Sequence, residues 1–320
     1  MRLVSYLADS QGRLGVIEGE HVVDVNAALK VAGQSGAPHA GLEAEAVRDF
    51  GVASVTDMVD LLSRGPEFLR ALGALCGSLA KAIRDKDGLP GLFLPVDSTR
   101  LLAPIARPAK IVCLGLNYAD HAREQGIEPP AAPLYFLKSV NTVCGPGDPI
   151  RLPPNSSQVD YEAEMAVVIG QGGRRIPVES AAEHIAGYMI LHDVSARDLQ
   201  FSDKQWFRGK SCDTFAPCGP WIVTPGEVGD PHALRISLTL NGQTMQDSNT
   251  SNLIFGVERL VSDLSQSLTW EAGDLISTGT PPGVGVFRKP PVFLKSGDLV
   301  SITVERLGTL TNPVVVPGEM

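Results

Sequence analysis

The 320-residue sequence lacks any apolar run long enough to cross a membrane. A spanning helix needs roughly 18–20 consecutive apolar residues, and no segment approaches that length. The opening segment MRLVSYLADS also lacks the order of a basic and then an apolar region that marks a secretory signal. These absences predict a cytoplasmic protein with no membrane partner.

Clusters of basic residues are missing as well. The chain carries 27 Lys and Arg against 36 Asp and Glu, which gives a net charge of −9. Because binding to a phosphate backbone needs clustered cations, we expect no nucleic-acid partner. A small acidic ligand stays possible, since it needs only a few local cations.

Cysteine is scarce, and several well-known motifs are absent. The five cysteines are odd in number, lie far apart and never form a CxxC pair, which predicts reduced thiols in the core.

The sequence contains no GxGxxG opening a helix, no GxxxxGK[ST], no GxSxG and no HExxH. Nucleotide-cofactor enzymes and serine hydrolases therefore have no support.

Glycine and proline are plentiful, with 33 and 24 residues, and they divide the chain into short elements. Residues 2–25 alternate apolar and polar side chains around Gly12 and Gly19, which predicts three short strands with tight turns. A small β unit therefore opens the chain.

Helical spacing follows from residue 42 to about residue 84. The clearest helices are predicted over 54–62 and 66–83, and a loop is predicted over 31–40.

Strand patterns dominate the rest of the chain. A strand is predicted over 111–116, and Asn241-Gly242 lies between two alternating runs, which is a strong type I′ hairpin signal. The predicted architecture is α+β, with a small α+β N-terminal domain over residues 1–103 and a β-rich domain over 104–320.

Three carboxylates stand at the ends of apolar strands. Glu162 and Glu164 lie two apart in YEAEMAVVIG, so both point from one face of a strand, and Asp193 follows the apolar run GYMIL. Like charges at a buried strand end need a cation between them, and oxygen ligands without His or Cys favour Mg²⁺ or Mn²⁺. The alternative is an exposed strand edge at which the carboxylates face water.

A possible general base follows the strand predicted over 111–116. His121 and Glu124 lie three apart, a spacing that places both side chains on one face of a helix. Such a pair could activate water. The alternative is a solvated pair on a helix surface.

Further polar residues are candidates without a decisive pattern. They are Arg197, Asp198 and Gln200 after Asp193, Lys210 in RGKSCDTFAP, and Thr280 in STGTPPGVG. Arg and Lys are most often solvated surface charges, and a Thr beside two prolines can simply shape a turn. Both interpretations stay open at this point.

Six blocks of the sequence together resemble the fumarylacetoacetate hydrolase family. In chain order they are GLNYADHAREQG, YFLKS, VDYEAEMAVVIG, GYMILHDVSARDLQ, RGKSCDTFAP and STGTPPGVG. The resemblance covers roughly residues 108–317, and six blocks in the right order are far more specific than any one of them. The first hundred residues resemble the variable N-terminal unit of many bacterial members and carry no motif.

The resemblance implies a mixed β-roll catalytic domain, usually a homodimer, with Mg²⁺ or Mn²⁺ held by Glu162, Glu164 and Asp193. It also implies roles for the other candidates: support of the metal end by Lys210 and Thr214, substrate contacts by Arg197, Gln200 and Thr280, and a ligand-ordered lid that carries His121 and Glu124.

Two positions depart from the family pattern and leave the subfamily open. His192 stands where the family often has Asn, and Ser139 follows Lys138 where Pro is common. Strand alternation turns His192 away from Asp193, so it is expected to be a core residue rather than a ligand.

The leading hypothesis is hydrolysis of a C–C bond in a 2,4-dioxo acid, an acylpyruvate, to pyruvate and a carboxylic acid. The metal would act as a Lewis acid on this small-molecule substrate, His121 and Glu124 would activate water, and Lys210 would share the enolate charge. The same enolate serves decarboxylation of a 2-oxo acid such as oxaloacetate and keto–enol or double-bond isomerisation, including that of a 2-hydroxy-dienedioate, so these alternatives stay open. A non-catalytic ligand-binding protein is a third alternative.

Overall fold

The computed structural model describes residues 1–34, 41–83, 91–316 and 318. Its strands are, in chain order, β1 (Arg2–Ala8), β2 (Gln11–Glu18), β3 (His21–Asp24), β4 (Phe93–Pro95), β5 (Leu101–Leu102), β6 (Ile111–Gly115), β7 (Leu134–Leu137), β8 (Val143–Cys144), β9 (Ile150–Arg151), β10 (Val159–Asp160), β11 (Ala163–Ile169), β12 (Ile185–His192), β13 (Ser195–Ala196), β14 (Ala216–Val223), β15 (Arg235–Leu240), β16 (Gln243–Asn249), β17 (Leu275–Ser277), β18 (Leu299–Val304) and β19 (Gly308–Val315).

The α-helices are α1 (Val25–Gly33), α2 (Gly41–Arg48), α3 (Met58–Ser63), α4 (Gly65–Ile83), α5 (Ala119–Gln125), α6 (Arg197–Ser202), α7 (Phe207–Lys210), α8 (Pro225–Val228) and α9 (Val257–Ser265). Short 3₁₀ helices cover Val96–Ser98, Val140–Thr142, Val178–His184, Thr250–Asn252 and Gly285–Phe287. Within the described ranges, none of the helices is both long and apolar enough to span a membrane.

A mixed sheet of twelve strands forms the centre of the molecule. Its order is β4-β3-β2-β1-β14-β12-β11-β17-β6-β7, with β5 beside β1 and β8 beside β14. A second sheet of five strands has the order β16-β15-β18-β19-β9, and β10 pairs with β13. Mixed sheets combined with helices confirm the predicted α+β class.

The central sheet is buried on both faces. In β11, Met165 and Val167 belong to the core shared with the five-stranded sheet, whereas Ala166 and Val168 belong to the core shared with the N-terminal helices. Successive side chains of a strand point to opposite faces, so a strand buried on both sides reads as a nearly unbroken apolar run. Glu164 is the only polar residue of β11, and it therefore lies at the buried end of that strand.

The N-terminal strands confirm the predicted β unit, but the first turn lies elsewhere than predicted. β1 and β2 are joined at Asp9 and Ser10, which have positive φ values of 49° and 61°. Positive φ at both central residues matches the twist of a two-residue hairpin, so Gly12 is free to lie within β2. The prediction of a turn at Gly12 is therefore wrong, whereas Gly19 does lie in the second turn, with a φ of 61°.

The two clearest predicted helices are confirmed as α3 and α4. α3 begins later than predicted, at Met58, because the side chain of Asp57 caps it by accepting a hydrogen bond from the amide of Asp60 at 2.9 Å. The loop predicted over 31–40 begins inside α1, which continues to Gly33, and residues 35–40 lie outside the described residues.

The Asn241-Gly242 hairpin is confirmed between β15 and β16. The two residues have φ values of 51° and 82°, which is the left-handed conformation that a type I′ turn requires. The hairpin sets the register of β16 and so positions Gln246, a residue of the functional site.

The predicted boundary between residues 103 and 104 stays a prediction, as does the homodimer. β1 extends the central sheet by pairing with β14, with Arg2 opposite Val223. The strands of the N-terminal segment are thus continuous with those of the following segment.

Candidate metal centre and active site

Glu162, Glu164 and Asp193 meet because β11 and β12 are antiparallel neighbours. Ala163 pairs with His192, so the beginning of β11 lies beside the end of β12. One oxygen of each carboxylate lies within 4.8 Å of the other two. Glu162 is 7% exposed and the other two are 0% exposed, which excludes the alternative of a solvated strand edge.

Buried cations surround the three carboxylates, which we call the acidic trio. The ammonium of Lys210 donates to Oε2 of Glu162 at 2.8 Å and to Oδ2 of Asp193 at 2.7 Å. Lys138 donates to Oδ1 of Asp193 at 2.6 Å, and Arg197 donates through Nη2 to Oε1 of Glu162. These positive charges offset the repulsion within the acidic trio.

The two glutamates of the trio experience opposite fields. Burial alone would raise the pKa of Glu162, but Arg197 and Lys210 outweigh it and hold that pKa below its usual range. Burial raises the pKa of Glu164 well above its usual range, and Asp193 and Glu162 raise it further. Glu162 is therefore ionised, whereas Glu164 keeps a proton unless a further cation compensates its charge.

The contacts of Glu164 test whether a divalent cation fits this site. Its Oε2 accepts hydrogen bonds from the hydroxyl of Ser277 and from the amide of Gly279, the latter at 2.9 Å. Its Oε1 is buried and finds no hydrogen-bond partner in the part of the chain that the structure describes. Since buried polar atoms nearly always have a partner, and an all-oxygen set suits a hard cation, the residues fit Mg²⁺ or Mn²⁺.

The predicted pair of His121 and Glu124 forms on α5. Nδ1 of His121 lies 2.9 Å from Oε2 of Glu124, and its Nε2 lies 2.7 Å from Nε2 of Gln125. The amide of Gly283 donates to Oε1 of Glu124 at 3.0 Å. His121 is only 5% exposed, whereas the side chain of Glu124 is 29% exposed, so the histidine is buried and the carboxylate lies at the solvent boundary of the site.

One backbone segment, residues 279–283, connects this pair to the acidic trio. The amide of Gly279 contacts Glu164 and the amide of Gly283 contacts Glu124. Four residue steps span at most about 14 Å, so the pair and the trio border the same site. Gly279 has a φ of 92°, and a Cβ there would lie 3.0 Å from Cβ of Asn117, so this close approach requires glycine.

The predicted substrate contacts keep hydrogen-bonding capacity. Gln200 accepts from Nη1 of Arg197 at 2.9 Å through its Oε1, and its amide nitrogen makes no hydrogen bond to the described residues. Thr280 accepts from Nε2 of Gln246 at 2.9 Å, which leaves its own hydroxyl proton for another acceptor. All four side chains are buried.

Thr214 lies away from the contacts of the trio. Its hydroxyl donates to the carbonyl of Asp213 at 2.6 Å and accepts from the amide of Arg151 at 2.8 Å. Its φ of 65° shows that it shapes the chain between Lys210 and β14. Its support of the metal end stays a prediction.

His192 is buried next to the trio in sequence but is not part of it. Ile190 and Leu191 belong to opposite cores, so alternation places His192 on the side of Ile190. Its Nε2 has no hydrogen-bond partner among the described residues. Burial, and after it the charge of Lys138, lowers the pKa of His192 to about 3, so the ring is neutral.

The sequence alone did not single out several residues of the site. Asp160 accepts from Nε of Arg197 at 3.0 Å and from the amides of Gly285 and Val286, and so fixes that guanidinium. Asp160 lies two residues before Glu162 and so on the same face of an extended segment, and this spacing could have indicated that it belongs to the site. Ser277 is brought in by the pairing of the distant strands β11 and β17. Gln246 lies on β16 of the Asn241-Gly242 hairpin, and no local pattern marks either residue as part of the site.

Residues 110–315 match the family described as fumarylacetoacetate (FAA) hydrolase C-terminal. The match covers more than half of the chain. The chain belongs to the fumarylacetoacetate hydrolase family. This confirms the resemblance carried by the six sequence blocks, and the acidic trio of this family member forms a site that could bind a divalent metal.

Three proteins similar to this family member carry names that describe three different reactions. A Bos taurus protein named oxaloacetate tautomerase FAHD2A, mitochondrial, is 47% identical over 281 residues, which cover 87% of this chain and 88% of that protein. A fumarylacetoacetate hydrolase (EaFAH) from psychrophilic Exiguobacterium antarcticum has a TM-score of 0.77 and 34% identity, with 99% of both chains covered. A 2-hydroxyhepta-2,4-diene-1,7-dioate isomerase from Mycobacterium marinum has a TM-score of 0.71 and 34% identity, with 100% of both chains covered.

Family membership thus shows an enzyme fold without selecting among tautomerase, hydrolase and isomerase. The bovine name places that protein in mitochondria, and the cytoplasmic location predicted for this chain stays a prediction.

Proposed function

We propose that this enzyme catalyses the keto–enol tautomerisation of a 2-oxo dicarboxylic acid of the oxaloacetate type. The observation that carries the proposal is the buried acidic trio joined to the Glu124–His121 pair by segment 279–283. Such a site has one part that compensates charge on an oxygen and another that moves a proton. The name of the bovine relative favours tautomerisation among the reactions open to this site.

Glu162, Glu164 and Asp193 would hold the divalent cation. When bound, Mg²⁺ or Mn²⁺ supplies Lewis acidity that favours negative charge on the 2-oxygen of the substrate. Oε1 of Glu164 has no hydrogen-bond partner among the described residues, so a bound cation would supply the contact that this atom lacks.

The proton balance assigns separate tasks to the chain's own residues. In the enol-to-keto direction the 2-hydroxyl gives its proton to solvent and C3 takes one from Glu124, which regains a proton from solvent, so no other atom enters or leaves. Glu124, held by Nδ1 of His121 and the amide of Gly283, is the group that exchanges a proton with C3. Lys210 uses two N–H donors on Glu162 and Asp193, and its third is available to the 2-oxygen as that atom becomes negative.

The substrate's C1 carboxylate needs donors that the protein does not already use. The amide nitrogen of Gln200 and the hydroxyl of Thr280 are such donors. Arg197 shares its charge between Asp160 and Glu162, and so contributes mainly by orienting Gln200 and Glu162.

A second candidate is the hydrolysis of an acylpyruvate to pyruvate and a carboxylic acid. The observation that favours it is the same Glu124–His121 pair, which could instead take a proton from water. Oxaloacetate decarboxylation and double-bond isomerisation are further uses of the same enolate. Decarboxylation and hydrolysis differ from tautomerisation in a measurable way, because both release pyruvate.

The experiment that tests the proposal supplies oxaloacetate in its enol form with Mg²⁺ or Mn²⁺. We expect the purified enzyme to accelerate the loss of enol absorbance while the total oxaloacetate, assayed by its reduction to malate, stays constant. A parallel panel of acylpyruvates measures pyruvate release. Rapid pyruvate release from an acylpyruvate, or from oxaloacetate, without accelerated enol loss would overturn the proposal.

A further inference from the structure

Arg288 carries a half-buried guanidinium that has no carboxylate partner among the residues that the structure describes. Its Nε donates to the carbonyl of Gly283 at 3.1 Å, and its Nη2 donates to the carbonyl of Met245. Carbonyl oxygens carry no net charge, so the positive charge stays uncompensated. Two of the five N–H donors of the guanidinium are used, and three remain for a ligand.

The contacts of Arg288 anchor it to the segments that build the active site. Gly283, whose carbonyl it contacts, donates its amide to Glu124. Met245, its other contact, precedes Gln246, which donates to Thr280. Gly283 therefore links the guanidinium to Glu124 of the proton-transfer pair, and the segment Met245–Gln246 links it to the predicted substrate contact Thr280.

A second polar group lies against the segment that carries Arg288. A Cβ built on Gly285 would lie 3.1 Å from the ring of Tyr161, and the amide of Arg288 donates to the carbonyl of Gly285 at 3.2 Å. The hydroxyl of Tyr161 is buried and makes no hydrogen bond of normal geometry to the described residues. Burial raises the pKa of Tyr161 to about 12, and the guanidinium of Arg288 works against this rise. The ring of Phe287 lies 5.8 Å from the ring of His121, which keeps this segment against α5.

The geometry of the substrate determines where its second charge must lie. In a four-carbon 2-oxo dicarboxylic acid, C3 alone separates the 2-oxo group from the distal carboxylate. C3 must face Glu124 for proton exchange, so the distal carboxylate lies on the Glu124 side of the site. Arg288 is the half-buried cation anchored there, through Gly283.

We propose that Arg288, assisted by the hydroxyl of Tyr161, binds the distal carboxylate and so makes the site select 2-oxo dicarboxylic acids over monocarboxylic ones. This inference rests on the proposed function. A carboxylate matches the planar fork of a guanidinium, would compensate the charge of Arg288 and would accept a hydrogen bond from the hydroxyl of Tyr161.

The test measures binding of two unreactive 2-hydroxy acids, malate and 2-hydroxybutanoate, by isothermal titration calorimetry with Mn²⁺ present. The two ligands differ in the distal carboxylate. We expect wild type to prefer malate, and Arg288→Gln to weaken malate binding by about 30-fold, with about a twofold effect on 2-hydroxybutanoate. Lys289→Gln removes the same charge from the exposed neighbouring side chain and should change both affinities by less than about twofold.

Arg288→Lys distinguishes the effect of the positive charge from the effect of the hydrogen bonds that Arg288 makes to the loop. It keeps the cation but loses the planar fork, so we expect it to retain part of the preference for malate. Equal weakening of both ligands in Arg288→Gln would overturn the proposal, because Arg288 would then only hold the carbonyls of Gly283 and Met245. No preference for malate in wild type would overturn it as well.

Failure of the proposed function would be seen separately. A wild-type enzyme that prefers malate through Arg288 but does not accelerate enol loss would refute tautomerisation and leave the carboxylate subsite standing.

Discussion

The ammonium nitrogen of Lys138 lies 2.6 Å from Oδ1 of Asp193, and both side chains are fully buried. Lys138 also donates to the carbonyl of Val194 at 3.1 Å. Because Lys210 contacts Oδ2, both oxygens of Asp193 are held by ammonium groups. Removing one partner of a buried ion pair leaves an uncompensated charge, which costs much more than the loss of a surface pair.

Lys138→Met is therefore expected to lower the free energy of unfolding of the metal-free protein by about 3 kcal/mol, measured by urea denaturation. The matched control is Arg235→Met, which removes the cation from an exposed pair with Asp247, whose side chains are 70% and 45% exposed. That change should leave the free energy of unfolding nearly unchanged, because an exposed ion pair contributes little. Equal losses in the two variants would contradict a supporting role of Lys138 in the site.

The affinity for a divalent cation should depend on pH through Glu164. Burial, Asp193 and Glu162 raise the pKa of Glu164 well above its usual range, so a metal must displace a proton from it. A group with a raised pKa gains its proton as the pH falls, and the affinity then falls by up to about tenfold per pH unit. Glu162, whose pKa is lowered by Arg197 and Lys210, stays ionised and adds no such dependence.

Calorimetric titration with Mn²⁺ from about pH 8 down to about pH 6 measures this dependence, and wild type should bind more weakly at each step. An affinity that is constant over the range would show that Glu164 is not a proton-linked ligand.

Glu124→Gln should impair proton transfer rather than binding. The variant keeps the shape of the side chain but cannot accept a proton, so we expect deuterium exchange at C3 of oxaloacetate to slow by about 100-fold or more, with little change in KM. Arg123→Gln, an exposed change on the same helix, is the control. If exchange stays fast while acylpyruvate hydrolysis is lost, the pair acts on water and the hydrolase reading is correct.

The acidic trio was predictable because its signal is local. Glu162 and Glu164 share a face by strand alternation, and Asp193 ends the next long buried strand. Antiparallel pairing of those strands is then sufficient to bring the three carboxylates together.

The rest of the site depends on contacts that are distant in sequence. Ser277 reaches Glu164 because β17 pairs with β11, with Ala166 opposite Ser277. Gln246 of β16 reaches Thr280 in the loop that follows β17. Single residues of this kind carry no periodicity of their own. Lys210 was assigned to the site only through the family resemblance, since a lone Lys is most often solvated.

The fold shows the same division between local and tertiary signals. The hairpin at Asn241-Gly242 was predictable from two residues, because few others adopt positive φ at both positions. The first hairpin turn uses Asp9 and Ser10, which are weaker turn formers than the nearby Gly12, and the pairing of β1 with β2 decides its position.

The central claim is that Glu164 completes a divalent-cation site on which turnover depends. The most direct test titrates Mn²⁺ into metal-free protein while deuterium exchange at C3 of oxaloacetate is followed. Wild type and the exposed control Glu271→Gln should reach full rate together, whereas Glu164→Gln should require at least about 100-fold more Mn²⁺. Full exchange in the metal-free protein, or the same Mn²⁺ dependence in Glu164→Gln as in wild type, would contradict the account.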